Sequence, residues 1–81
     1  MSKHDSTKAR VLDPRSRKNI GFDELCSLLT HMGFISHQKG SHRIFRKAHI
    51  PHIVNLQPGS DGKAKPYQVK QVAEIIETFG L

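Results

Sequence analysis

Gln38-Lys39-Gly40-Ser41-His42-Arg43-Ile44-Phe45-Arg46 decides how this chain is read. Gly40-Ser41 is a turn signal between two stretches of extended character, Phe34 to Lys39 and His42 to Lys47, and together they read as a hairpin. Ile44 and Phe45 are neighbours, so in a strand they point to opposite faces. With Phe45 in the core, His42, Ile44 and Arg46 share the open face, and that is the arrangement expected. The opposite parity buries His42 beside Ile44, in a structural role.

Upstream of the hairpin, Phe22, Leu25, Leu28, Leu29 and Met32 keep helical spacing and form one apolar stripe. The spacing predicts a helix over Asp23 to Met32, with Asp23 capping its start and Gly33 closing its end in a left-handed conformation. Downstream, Ala48 to Pro51 turns the chain and His52 to Leu56 reads as a third strand. Pro58 to Lys65 is a loop. Pro66 opens a second helix, striped by Val69, Val72, Ala73, Ile76 and Phe79, which Gly80 ends. The order helix, three strands, helix implies an α+β fold. A three-stranded antiparallel sheet carries both helices on one face and leaves the other open. This is also the element order of double-stranded-RNA-binding domains, which read A-form shape through 2′-hydroxyl and phosphate contacts.

The chain has 81 residues and a net charge of +6, enough for one small domain. Residues 1–20 carry Lys3, Lys8, Arg10, Arg15, Arg17 and Lys18 against Asp5 and Asp13, so most of the excess sits there. These residues show no periodic apolar pattern beyond a Val11-Leu12 pair and are expected to form a basic, disordered arm. Residues 21–81 are expected to be the folded domain. A basic chain suits a polyanionic partner such as nucleic acid, although a Lys/Arg excess also serves solubility. No run of about 18 apolar residues is present to span a membrane, and residues 1–20 do not read as a secretory signal. Cys26 has no second thiol with which to pair and lies among leucines, which points to a buried free thiol in a reducing, cytosolic setting.

Six histidines are present, and His37, His49 and His52 could be imagined around a metal. No His-x-x-x-His pair exists and no thiol lies near Cys26, so no metal site is expected. The glycines match neither the phosphate-cradling loop nor the dinucleotide fingerprint. His42 is the remaining candidate for chemistry. RNA cleavage needs no cofactor, because the neighbouring 2′-hydroxyl is the nucleophile. A positioned imidazole moves the proton and cations stabilise the charge that develops on phosphorus. Lys39, Ser41, Arg43 and Arg46 are the candidate phosphate contacts, and Lys63 and Lys65 could extend an RNA track.

The runs Gly33-Phe34 and Lys39-Gly40-Ser41-His42-Arg43-Ile44-Phe45 resemble the HicA family, the toxin half of HicA–HicB toxin–antitoxin pairs. Ile53-Val54-Asn55-Leu56-Gln57-Pro58 and Lys63-Ala64-Lys65-Pro66-Tyr67-Gln68-Val69-Lys70-Gln71-Val72 do so too. The likeness covers about residues 22–81, with Gly-Ser-His as its hallmark. It implies a double-stranded-RNA-binding-like fold and a ribosome-independent endoribonuclease acting on mRNA. It further implies that His42 is catalytic and that a HicB-type antitoxin masks it. The Asn-Leu-Gln-Pro segment after the third strand departs from the Pro-Arg-His-type segment of many members. Two other readings share the fold: a non-catalytic RNA-binding module, and a protein-interaction domain whose open sheet face serves only a partner.

Overall fold

The computed structural model describes residues 2–81. Its elements are helix α1 (Lys3–Leu12), a 3₁₀ helix (Pro14–Asn19), helix α2 (Phe22–His31), strands β1 (Ile35–Lys39), β2 (His42–Arg46) and β3 (Val54–Leu56), and helix α3 (Pro66–Phe79). The strands form one antiparallel sheet in the order β1-β2-β3. The α+β fold class and the helix–three strands–helix core are as expected. The register puts Phe45 opposite Val54 and Arg43 opposite Leu56. Phe45, Val54 and Leu56 are fully buried with Leu25, Leu28 and Leu29 of α2 and Val69 and Val72 of α3. One sheet face therefore carries the helices.

Residues 2–20 depart from the expected disordered arm, whose Met1 lies outside the described residues. Ser2 caps α1 by accepting from the Asp5 N–H at 3.1 Å. Val11 and Ile20 are fully buried in the common core. Thr7 is buried too, and its hydroxyl donates to the Lys3 carbonyl at 3.1 Å, so its one polar group is satisfied. Polar contacts then fix the helix at both ends. His4 Nε2 bonds Ser27 Oγ of α2 at 3.0 Å, Arg10 pairs with Glu24, and Lys8 Nζ donates to the Leu81 carbonyl. Helix α1 is thus held by what it packs on, and one buried Val-Thr pair suffices where no long apolar stripe exists.

The element ends also differ locally. Helix α2 begins at Phe22 with Gly21 as its N-cap, two residues before the expected Asp23 cap. Glu24 takes over the capping role by accepting the Gly21 N–H at 2.8 Å. Strand β1 starts at Ile35 because the Phe34 N–H is spent on the Leu29 carbonyl, at 3.0 Å, closing the helix. Gly33 takes φ 97° there, as the sequence predicts. Strand β3 starts only at Val54. Pro51 has no N–H to give a ladder, and His49 turns the chain at φ 69°. Helix α3 runs from Pro66 to a left-handed Gly80, as read.

Cys26 is a buried free thiol, as expected. Its desolvation pushes the thiol up to about 11. Among the described residues no helix is long and apolar enough to cross a membrane.

Candidate nucleic-acid interface

The β1–β2 hairpin is closed by Gly40 and Ser41, with positive φ at Gly40 alone (62°). That sign pattern is a II′ turn, whose first central position favours glycine. The turn sets Lys39 directly opposite His42, and His37 opposite Ile44. Alternation then fills the face away from the helices with Ile35, His37 and Lys39 of β1, His42, Ile44 and Arg46 of β2, and Asn55 of β3. Lys39, Arg46, His37 and Asn55 are exposed and His42 is half-buried. This is the parity expected, with Phe45 inside and the imidazole outside.

His42 Nδ1 lies 2.8 Å from Asn55 Oδ1. The amide oxygen can only accept, so in this orientation Nδ1 carries the proton of the neutral ring and Nε2 keeps its lone pair. The pair fixes both the tautomer and the plane of the ring. Asn55 is itself held from behind. Buried Gln68 donates through Nε2 to the Asn55 carbonyl at 3.2 Å and accepts the Gln57 N–H at 3.2 Å, covering the outer edge of β3. Gln57 in turn donates to Ser41 Oγ at 3.1 Å and accepts from Lys65 Nζ at 3.3 Å. A chain of hydrogen bonds therefore runs from α3 through β3 to the turn beside His42.

Residues 22–81 match the family model described as the HicA toxin of bacterial toxin–antitoxin systems. The chain belongs to the HicA toxin family. Membership makes it the toxin half of such a pair and implies a HicB antitoxin as partner. No curated protein and no solved structure gives a significant match.

In this HicA chain the cations predicted to surround His42 divide between the two sides of the sheet. Lys39 is opposite His42 on the open face. Arg46 shares that face but stands four residues along β2, about 13 Å away at strand rise. Arg43 does not join them. It follows Phe45 onto the helix-bearing side, where it lines a cavity of about 420 Å³ with His4, Asp23, Cys26, Ser27 and His31. Adjacent residues of a strand cannot converge on one phosphate, and that is why the sequence cluster splits. Ser41 sits at the turn with its hydroxyl bonded to Gln57, and Lys63 and Lys65 lie on the loop before α3. His37, His49 and His52 are not brought together: among the described residues no three His, Cys, Asp or Glu side chains are grouped.

Asn55, Gln57 and Gln68 were not singled out by sequence reasoning. The signal for the first two is the alternation Val54-Asn55-Leu56-Gln57, which puts the polar pair on the face opposite the apolar one. Gln68 could be noticed only as a buried amide beside the apolar stripe of α3.

Proposed function

We propose that this HicA chain is a cofactor-independent endoribonuclease that cleaves mRNA, with His42 as its proton-transfer group. The observation that carries the proposal is the His42–Asn55 contact on an exposed sheet face, with Lys39 directly opposite. With Nδ1 taken up by Asn55, Nε2 is the nitrogen of the neutral ring left to act as a base. It takes the proton of a ribose 2′-hydroxyl as that oxygen attacks the adjacent phosphorus. The bond from phosphorus to the 5′ oxygen breaks, leaving a 2′,3′-cyclic phosphate. The imidazolium returns its proton to the departing 5′ oxygen. Lys39 stabilises the charge gathering on the non-bridging oxygens, and Arg46 holds a phosphate further along the strand. A positioned proton-transfer group of this kind contributes about 10²–10⁴-fold.

Such an activity has to be silenced when not needed. The HicB partner does so by covering the face that carries His42, using acidic groups against Lys39 and Arg46. Expression of the chain alone in a bacterial host tests the reading. Arrested growth with loss of bulk mRNA is expected, reversed by co-expression of the antitoxin and absent with His42→Ala. Normal growth and intact mRNA would overturn it. Retention of labelled RNA without cleavage would identify an RNA-binding module instead.

A further inference from the structure

Residues 2–21 lie outside the HicA match, yet their last turn is joined to the loop that carries Lys63 and Lys65. The Ala64 N–H donates to the Ile20 carbonyl at 2.9 Å and the Phe22 N–H to the Gly62 carbonyl at 3.1 Å, with Gly21 and Lys63 bridged between them. This short ladder holds the 3₁₀ helix against the loop. Lys18 of that helix, Lys63 and Lys65 then line one cleft of about 380 Å³, together with Gly59, Ser60 and Asp61. The lining thus holds three lysines against one aspartate, and Asp61 Oδ1 is occupied by the Lys63 N–H at 3.0 Å. The ion pairs among the described residues are Arg10–Glu24 and Arg15–Asp13, so none of these lysines has a carboxylate partner.

Hydrogen bonds also link a residue of the cleft to the hairpin. Lys65 Nζ donates to Gln57 Oε1, Gln57 Nε2 donates to Ser41 Oγ, and Ser41 precedes His42. Like charges that converge in a concavity repel one another unless an anion sits between them. Lysine ammoniums serve well there as point charges for phosphate. A polymer with one phosphate per residue, bound at His42, would present its next phosphates along this line.

We propose that Lys18, Lys63 and Lys65 form a second phosphate site, which takes a backbone phosphate of the RNA strand held at His42. The N-terminal extension is then part of the substrate-binding surface. This inference rests on RNA being the substrate of the His42 face, and the test separates the two. Fluorescent 2′-O-methyl oligouridylates of increasing length, whose nucleophile is blocked, are titrated into the full chain at several salt concentrations. Affinity is expected to step up once a strand spans from His42 to the cleft. Lys18→Gln and Lys63→Gln should each remove that step, and should lower the salt slope by about 0.7 per lost phosphate contact. Short oligomers should bind both variants unchanged, whereas Lys39→Gln should weaken every length.

Three results would overturn the proposal. A length step that survives in both cleft variants removes the second site and leaves the His42 reading standing. No binding of any length by the unaltered chain removes both. Variants that bind RNA normally but lose affinity for the acidic antitoxin would assign the cleft to that protein. Lys18 and Lys63 are exposed, so unchanged melting temperatures are expected and any loss reads as lost contact.

Discussion

His42 Nδ1 and Asn55 Oδ1 stand 2.8 Å apart across β2 and β3, although the two residues are thirteen positions apart in the chain. The contact orients the imidazole, and under the proposed function Asn55 acts through His42 rather than on the RNA. Asn55→Ala should therefore slow RNA cleavage by roughly fivefold, the worth of one lost hydrogen bond of about 1 kcal/mol. RNA affinity should not change. Single-turnover cleavage beside a binding titration checks this, and an equal loss in both would make Asn55 a binding residue.

Glu24 ties α1 to α2, and its contribution should depend on pH. The Arg10 guanidinium, aided by the Gly21 N–H, holds its carboxyl below the usual 4.5. A depressed carboxyl stabilises the fold above its unfolded value and loses that contribution as pH falls through the folded value. Both side chains are more than a third exposed, so the effect is about 1 kcal/mol or less after screening. Glu24→Gln should melt below the unaltered chain near neutral pH, and the two curves should converge only once the pH has fallen through the lowered value of the Glu24 carboxyl. A gap that stays constant into acid would rule out the ionic contribution.

Val11 measures how far the extension belongs to the fold. It is fully buried against the common core, and trimming such a side chain costs about 1.5–3 kcal/mol. For a chain of this size Val11→Ala should lower the melting temperature by on the order of 10 °C. An unchanged melting curve would mean that α1 does not contribute to the core.

Cys26 should be inert in the folded protein. With its thiol raised to about 11 and its side chain buried, little thiolate exists at neutral pH. Iodoacetamide should label it slowly in the native state and rapidly in urea. Comparable rates in both would show that the α2 face opens readily.

The core of the fold was legible because its signals are local. The leucine stripe of α2, the Gly40-Ser41 turn and the stripe of α3 between Pro66 and Gly80 each fix an element within a few residues. The extension was not legible, because α1 buries only Thr7 and Val11 and leans on residues far along the chain, such as Glu24 and Leu81. At the site, His42 and Lys39 could be paired from the hairpin alone. Arg43 misled, since closeness in sequence became opposition across the sheet. Asn55 was out of reach because the β2–β3 register follows an irregular connection through His49, whose length does not announce which residues will face each other.

The central claim is that one imidazole moves the proton in RNA cleavage. Its most direct test compares purified chain and His42→Ala on an end-labelled RNA, with cleavage rate and affinity measured together. The account predicts 2′,3′-cyclic phosphate ends from the unaltered chain. It also predicts a rate about 10²–10⁴-fold lower for the variant, with RNA affinity nearly unchanged. Equal cleavage by both proteins would contradict it.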